Sequence, residues 1–136
     1  MLNNGLFTSI RQNWKTPTGF YNELNKEFNF DFDPCMADDK VRWDDNNLYK
    51  EWGNVNFVNP PYNNLVKWCA KAIYEYGKGK IVVMLLPSRT DTKWWHEYVM
   101  KATEIRFIRG RLCFDDSGNP APFPSCIVIF NPLLTS

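Results

Sequence analysis

The sequence predicts an α/β protein built around one open, mostly parallel sheet. Segments with helical periodicity alternate with short apolar runs, which is the order that right-handed strand–helix–strand units produce. One run, Ile81–Leu86, is apolar at every position, as a strand buried on both faces of a parallel sheet requires. Two final apolar segments enclose turn-forming residues and predict an antiparallel hairpin. With 136 residues, the chain is expected to form a single domain over residues 1–136.

Each element is placed by its periodicity and by the residues at its ends. Thr16-Pro17 has the form of a helix start, with the threonine as N-cap and the proline in the first helical position. The predicted elements in chain order are a helix from Thr16-Pro17 to about Glu27, a short strand over Phe28–Phe32, a polar loop from Cys35 to Glu51 with at most one helical turn, a strand over Val55–Val58, a helix from Asn63 or Asn64 to Gly77, a strand over Lys80–Pro87, a helix over Asp91–Lys101 with Thr90 or Asp91 as cap, and strands over Glu104–Phe114 and Ser125–Phe130.

The composition is that of a folded protein in water, with 44% hydrophobic and 23% charged residues. The longest apolar run is too short to cross a bilayer, and the first residues lack the form of a signal peptide. We therefore expect a cytoplasmic protein without a membrane partner. Four cysteines without a CxxC pair and a single histidine, His96, predict reduced thiols and no metal site.

Positive charge is concentrated in the second half of the chain. Residues 65–111 contain 10 Lys/Arg and 4 Asp/Glu, although the formal net charge of the whole chain is only +1. This distribution permits a polyanionic partner, but it is equally consistent with lysines and arginines on solvated helix surfaces. The charge alone leaves both interpretations open.

The segment Asn59-Pro60-Pro61-Tyr62 follows the predicted strand Val55–Val58, at the sheet edge where open α/β sheets bind ligands. Two prolines end sheet pairing and hold the chain rigid. The Asn59 side-chain oxygen and the Pro60 backbone oxygen can then accept both protons of one NH₂ group, while Tyr62 lies against the ring that carries it. The pattern predicts a site for an exocyclic amine on a planar heterocycle. The alternative is a turn that merely ends a strand.

An amine of this kind is a poor nucleophile, because its lone pair is delocalised into the ring. Two accepted hydrogen bonds favour a tetrahedral nitrogen whose lone pair is directed at an electrophile. We therefore expect Asn59, Pro60, Pro61 and Tyr62 to be catalytic through positioning, without a strong base.

These four residues resemble the catalytic signature of amino-group methyltransferases that use S-adenosylmethionine. The ordered blocks from Trp14 onward resemble, more specifically, the phage-type DNA N6-adenine methyltransferases. The blocks are Trp14–Pro17, Phe20 with Leu24, Phe30–Cys35, Leu48 with Trp52, Asn59–Tyr62, Lys67-Trp68, Leu85–Thr92, Arg109–Phe114 and Pro124–Phe130.

The resemblance implies a minimal Rossmann-like class I methyltransferase sheet, mostly parallel with a C-terminal antiparallel hairpin, with S-adenosylmethionine as cofactor and no metal. Asn59 and Pro60 would hold adenine N6, and Tyr62 would stack on the base after it is flipped out of double-stranded DNA. The loop after Asp33 contains no glycine, unlike that of many methyltransferases. The residues that the resemblance or their position assigns to the cofactor are Trp14, Thr16, Pro17, Asp33, Pro34, Cys35, Asp45 and Asn59.

If DNA is the substrate, basic residues must contact its phosphates. Arg109 and Arg111 can equally be two positions on one solvated strand face, and Trp94-Trp95 is interpreted as core rather than as a stacking surface for bases. No separate target-recognition domain is expected, so sequence specificity should be weak. The candidate DNA-binding residues are Arg89, Lys93, Arg109 and Arg111.

The sequence thus predicts an adenine-specific DNA methyltransferase of phage or prophage origin, acting in the cytoplasm of a bacterial host. Two alternatives stay open. One is methylation of an amine on RNA or on a protein glutamine; the other is a catalytically silent DNA-binding or regulatory relative. Neither the recognised DNA sequence nor the oligomeric state follows from the residues.

Overall fold

A computed structural model describes residues 14–35, 45–114 and 118–134 of the chain. In these ranges a four-stranded sheet has the order β1-β2-β4-β3. β1 pairs with β2 in parallel, whereas β4 is antiparallel to both of its neighbours. Three strands therefore run in one direction, and β4 runs the other way between β2 and β3. The strands are β1 (Val55–Val58), β2 (Ile81–Pro87), β3 (Glu104–Phe107) and β4 (Ser125–Phe130).

The predicted α/β class is confirmed, and the parallel character of the sheet is confirmed in part. β1, β2 and β3 share a direction, but β1 with β2 is the one directly hydrogen-bonded parallel pair in this four-stranded sheet. The described helices are α1 (Thr18–Phe28), α2 (Leu65–Gly77) and α3 (Lys93–Glu97), with 3₁₀ turns over Asp45–Leu48, Tyr62–Asn64 and Val99–Lys101. No helix within the described ranges has the length and hydrophobicity needed to cross a membrane.

Strand β2 is buried and separates two layers of the core. Successive side chains from Val82 to Leu86 point to opposite faces of the sheet. One face packs against Trp68 of α2 and Trp95 of α3, and the other packs against Leu24 of α1 and Phe123. The sheet is therefore covered on both sides.

The predicted strand over Phe28–Phe32 is wrong. Phe28 is the last residue of α1, which ends at Asn29 with a left-handed φ of 54°. Phe32 makes an isolated parallel bridge to Asn56 at the edge of β1. The alternating aromatic residues instead pack their rings against α1 and β1. The ring centroids of Phe30 and Phe57, for example, are 5.3 Å apart.

The predicted start of α1 is also wrong in detail. Pro17 is the N-cap and makes no side-chain cap, and Thr16 lies before the helix. The Thr16 hydroxyl accepts a hydrogen bond from the side chain of Asn59 at 2.9 Å. A tertiary contact has therefore replaced the predicted cap.

The last helix and the strand that follows it are shorter than predicted. Thr92 is the N-cap of α3, one or two positions later than expected, and its side chain accepts a hydrogen bond from the Trp95 backbone N–H. β3 ends at Phe107 because its partner β4 begins at Ser125, which accepts the last cross-strand hydrogen bond, from Ile108. Gly110 then turns the chain with a φ of 76°.

Candidate active site

Asn59 lies at the carboxyl end of β1, as the sequence predicts. It follows Val58 directly, and the chain then passes through the buried residues Pro60 and Pro61 into the 3₁₀ turn that begins at Tyr62. The side chain is largely enclosed, since Asn59 is only 7% exposed. A polar residue buried at a strand end needs hydrogen-bond partners, so its contacts define what it can do.

Two contacts orient the Asn59 amide. Its Nδ2 donates to the Thr16 hydroxyl at 2.9 Å and also to the backbone carbonyl of Trp14. A carbonyl oxygen only accepts, so the atom that faces Trp14 must be the amide nitrogen. The remaining atom, Oδ1, is buried and has no hydrogen-bond partner among the described residues. Because a buried acceptor without a partner is costly, this oxygen is the clearest candidate for a ligand contact.

The first of two cavities at this edge, the Asp33 cavity, has a volume of about 250 Å³. Burial raises the pKa of Asp33 to about 6, although the Cys35 backbone N–H donates to its carboxylate at 3.0 Å. Burial also raises the pKa of the Cys35 thiol well above its usual value, and the nearby Asp33 adds to this effect. A desolvated carboxylate favours a cationic ligand. The cavity is lined by Lys15, Thr16, Thr18, Tyr21, Asp33, Cys35 and Asn59.

The second cavity, the Tyr62 cavity, has a volume of about 490 Å³ and four aromatic side chains among its ten lining residues. The Tyr62 hydroxyl is buried and has no hydrogen-bond partner within the described part of the chain. Burial raises the pKa of Tyr62, and the nearby Arg89 offsets this only in part. Tyr62 lines this cavity, and its ring, which packs against Trp14 and Phe123, is the part that we expect to contact a planar ligand. The lining residues are Trp14, Tyr62, Asn63, Leu65, Pro87, Arg89, Thr92, Trp94, Pro122 and Phe123.

Asn59 connects the two cavities. Asn59 itself lines the Asp33 cavity. Its side-chain amide donates a hydrogen bond to the backbone carbonyl of Trp14, and Trp14 lines the Tyr62 cavity. The short segment from Trp14 to Thr16 thus contributes to both. A ligand held beside Asp33 would therefore lie next to Asn59, and the second cavity begins at the neighbouring Trp14.

The structure divides the predicted cofactor residues. Thr16, Asp33, Cys35 and Asn59 line one cavity together, whereas Trp14 lines the other, beside Tyr62. The remaining three, Pro17, Pro34 and Asp45, line neither of these cavities. Pro17 caps α1, the Pro34 carbonyl accepts from Asn47 at 2.9 Å, and Asp45 is exposed at the start of a 3₁₀ turn.

Some lining residues were not predicted from the sequence. Tyr21 of α1 lines the Asp33 cavity, and Trp94 and Phe123 line the Tyr62 cavity. The interpretation of Trp94-Trp95 as core is right for Trp95, which is 3% exposed, but Trp94 is half-buried and faces the cavity. The signal was the pairing itself, because adjacent residues on a helix point about 100° apart. Trp95 can then be enclosed by the core while Trp94, which also packs against the core, reaches the cavity.

The four predicted DNA-binding residues are all exposed, but they do not form one group. Arg89 lines the Tyr62 cavity. Lys93 lies 3.6 Å from Glu97 in an exposed ion pair. Arg109 and Arg111 lie beyond the end of β3 rather than on a strand, and Arg111 donates to the Ala121 carbonyl at 3.3 Å. Arg89 is therefore the basic residue placed best for a ligand in the Tyr62 cavity.

A further cavity of about 650 Å³ lies along α2 and shares no lining residue with the Asp33 cavity or the Tyr62 cavity. Its walls include four lysines, but Lys71 pairs with Glu75 at 2.8 Å and Lys78 lies 3.8 Å from both Glu51 and Glu75. Among the described residues, no unpartnered buried group comparable to Asn59 lines it. This cavity is larger than the Asp33 and Tyr62 cavities, but its paired charges indicate a charged surface cleft. Within the described ranges, no cluster of His, Cys, Asp and Glu is suited to hold a metal ion.

Comparison with known proteins identifies the family. Residues 4–133 match the family described as DNA N-6-adenine-methyltransferase (Dam). The chain belongs to this family. The resemblance stated from the sequence is therefore confirmed, and with it the class of enzyme, an adenine-specific DNA methyltransferase.

Two phage relatives belong to the same class by name. The chain is 30% identical to a DNA N-6-adenine-methyltransferase of Haemophilus phage HP1 over 135 residues, covering 88% of this chain and 78% of that protein. It is 28% identical to a DNA N-6-adenine-methyltransferase of Escherichia phage T1, covering 82% of this chain but only 50% of that protein. No solved structure matches the chain.

Proposed function

We propose that this protein transfers a methyl group from S-adenosylmethionine to N6 of adenine in double-stranded DNA. The observation that carries the proposal is the buried, unpartnered Oδ1 of Asn59, a residue that lines the Asp33 cavity and is hydrogen-bonded to Trp14 of the Tyr62 cavity. Family membership supports adenine as the substrate class. The protein would act as a single domain in the cytoplasm of a bacterial host, on a Rossmann-like methyltransferase sheet.

The residues of the Asp33 cavity fit a cationic sulfonium cofactor. The desolvated Asp33 carboxylate suits positive charge, Thr16 offers a hydroxyl and Tyr21 offers a ring. When bound, S-adenosylmethionine supplies an electrophilic methyl group on a positively charged sulfur. Asp33, Thr16 and Tyr21 would hold this cofactor beside Asn59. Asp45 remains a candidate for the ribose, although it does not line the cavity.

The residues of the Tyr62 cavity fit a flipped base. Four aromatic side chains would form walls for a planar heterocycle, namely those of Tyr62, Trp14, Trp94 and Phe123. Arg89 lines the same cavity and would contact a phosphate of the flipped nucleotide. Flipping a base costs a few kcal/mol of lost stacking and pairing, on the order of what one or two such ring contacts recover.

The catalytic residue is Asn59. Its Oδ1 would accept one N6–H hydrogen bond and the Pro60 carbonyl the other, so that the nitrogen lone pair is directed toward the cofactor. Because Nδ2 is already engaged, Asn59 offers the amine an acceptor and no competing donor. No base with a high proton affinity is needed in this scheme, because the acceptors orient the amine and lower the barrier electrostatically.

The test is methyl transfer from tritiated S-adenosylmethionine to unmethylated duplex DNA, followed by digestion to nucleosides. We expect labelled N6-methyladenine, lost by at least about 100-fold in Asn59→Ala, as for removal of an oxyanion-type contact. Calorimetry should show that this variant still binds the cofactor. Asn54→Ala, an exposed asparagine just before β1, is the matched control and should be as active as the wild type.

The other outcomes select the alternatives. Label in RNA or protein but not in duplex DNA would move the reaction to an RNA amine or a protein glutamine. Cofactor binding without any transfer, or no cofactor binding at all, would favour a silent DNA-binding or regulatory relative.

A further inference from the structure

The catalytic value of Asn59 depends on which way its amide is turned. The oxygen and nitrogen of an asparagine side chain have nearly the same size and shape, so rotation by half a turn exchanges an acceptor for a donor. In the wrong orientation an NH₂ group would face the N6 amine, placing donor against donor. Something in the fold must therefore hold the orientation that leaves Oδ1 available.

Two neighbours supply this control. The Trp14 carbonyl accepts from Nδ2, and the Thr16 hydroxyl accepts from Nδ2 at 2.9 Å. Since an amide nitrogen carries two protons, these two acceptors occupy both of them. The Trp14 contact comes from the backbone and is independent of the side chain there. The Thr16 contact depends on the residue type, because a hydroxyl is needed.

We propose that Thr16 is a positioning residue that fixes the Asn59 amide with Oδ1 free for the target amine. This inference rests on the proposed function and extends it. Thr16 also lines the Asp33 cavity, so one hydroxyl lies between the cofactor position and the catalytic asparagine. Thr16 lies before α1, and Pro17 occupies the N-cap position of the helix. The contact with Asn59, and not helix capping, explains this position of Thr16.

Two substitutions of Thr16 test the role of its hydroxyl separately from the role of its side-chain volume. Thr16→Val keeps the volume and removes the acceptor, whereas Thr16→Ser keeps the acceptor. We expect Thr16→Val to lower kcat roughly tenfold, as for loss of one net hydrogen bond, with the KM for DNA little changed. Thr16→Ser should recover most of kcat. Thr16 also lines the proposed cofactor cavity, so kcat is compared at saturating S-adenosylmethionine, with cofactor affinity measured separately by calorimetry. Under that condition the Thr16→Val change should have no further effect on residual kcat in an Asn59→Ala background, because the residue that it positions is absent.

A second readout needs no methyl transfer. The side-chain amide protons of Asn59 can be assigned by NMR from the pair of signals that disappears in Asn59→Asp. In the cofactor-free wild type both protons are hydrogen-bonded, so we expect slow exchange with solvent and well-resolved signals. Thr16→Val should accelerate exchange of one of them, and Thr16→Ser should restore its protection.

The outcomes are distinguishable. Exchange that is equal in the wild type and Thr16→Val would overturn the contact. Accelerated exchange in Thr16→Val with an unchanged kcat would overturn the positioning role. A fall in kcat that Thr16→Ser does not recover, or that persists at full size in the Asn59→Ala background, would overturn it as well. A wild-type protein that transfers no methyl group would overturn the proposed function and with it the catalytic part of this inference, while the exchange rates would still decide whether Thr16 holds Asn59.

Discussion

The rings of Trp14 and Tyr62 lie nearly parallel, with centroids 6.2 Å apart and an angle of 25° between their planes. Phe123 meets both of them edge-on, with centroid distances of 5.3 Å in each case. Tyr62 is thus held by ring contacts on several sides, while its hydroxyl makes no hydrogen bond with the described residues. The position of this ring is set by packing, which is the geometry that a stacking platform needs.

Replacement of Tyr62 should therefore distinguish the ring from the hydroxyl. Tyr62→Ala should weaken binding of duplex DNA with a flipped adenine by roughly 10- to 100-fold, the range for loss of one base–aromatic contact, while cofactor affinity stays constant. Tyr62→Phe should change activity little. Fluorescence of 2-aminopurine at the target position reports base capture. A large loss in Tyr62→Phe would show that the hydroxyl takes part and would contradict this assignment.

The sequence was sufficient to place the Asn59–Tyr62 segment because its signals are local. A strand with alternating residues, two prolines and a following helix place Asn59 at the sheet edge, and the structure agrees. The partners of Asn59 could not be predicted, since Trp14 and Thr16 lie 45 and 43 residues away in the chain. For Thr16 the local helix-cap pattern competed with that distant contact, and the contact prevailed.

The predictions that failed concern the residues at which helices and strands begin or end. Phe28–Phe32 has the alternation of a strand, but α1 extends into it and the rest makes a single bridge to β1. The segment Glu104–Phe114 is apolar enough for a long strand, yet β3 can extend only as far as β4 offers partners. Strand length depends on the neighbouring strand, which local periodicity does not contain.

Asp33 should make both stability and cofactor binding depend on pH. Its folded-state pKa is raised from 3.8 to about 6 by burial. The folded protein therefore holds a proton that the unfolded chain has already lost, so stability decreases as pH rises from about 4 to 6 and stays lower above that range. Asp33→Asn removes this penalty and should be more stable than the wild type at pH 8, by at most about 3 kcal/mol. Urea unfolding at pH 4 and pH 8 measures the difference.

The same substitution should weaken cofactor binding, because the ionised carboxylate is the group proposed to favour the sulfonium cofactor. Cofactor affinity of the wild type should fall as pH is lowered through about 6, and that of Asp33→Asn should be low at every pH. Asp91→Asn removes one exposed negative charge elsewhere and serves as the control. If Asp33→Asn binds S-adenosylmethionine as tightly as the wild type by calorimetry, Asp33 has no role in the cofactor site.

Arg89 should contribute more to DNA binding than the other basic candidates, because it alone among the four lines the Tyr62 cavity. Arg89→Ala should reduce the slope of log K against log salt concentration by about 1, as expected for one lost phosphate contact. Lys93→Ala should have a smaller effect, since Lys93 is paired with Glu97. Lys26→Ala on the exposed surface of α1 is the matched control. Equal slopes for Arg89→Ala and Lys26→Ala would remove Arg89 from the DNA interface.

The ion pair between Glu75 and Lys80 should stabilise the fold without taking part in catalysis. Both side chains are buried and 2.7 Å apart, and Glu75 also accepts from Lys71 at 2.8 Å and from the Trp52 backbone N–H at 3.1 Å. Burial alone would raise the pKa of Glu75, but these hydrogen bonds outweigh it and lower the pKa to about 2. The network therefore stabilises the protein above the unfolded-state pKa of 4.5, and its contribution is lost as pH falls toward 2.

Breaking this pair should be costly because it removes the buried carboxylate that neutralises Lys80 and Lys71, whereas Glu51, the other carboxylate beside Lys80, is exposed. We expect Glu75→Gln to lower the free energy of unfolding at pH 7 by about 3–5 kcal/mol, measured by urea denaturation. The difference from the wild type should shrink below about pH 4, where the wild-type carboxylate begins to lose its advantage. The exposed pair of Glu23 and Lys26, 3.2 Å apart, is the matched control, and Glu23→Gln should cost less than about 1 kcal/mol.

Methyl transfer per folded molecule should be unchanged in Glu75→Gln, since the residue lies in the cleft along α2 and lines neither cavity at the Asn59 edge. A loss of stability as small as that of Glu23→Gln would mean that the pair Lys80 already makes with Glu51 at 3.1 Å is sufficient to neutralise it, and would contradict a stabilising role for Glu75.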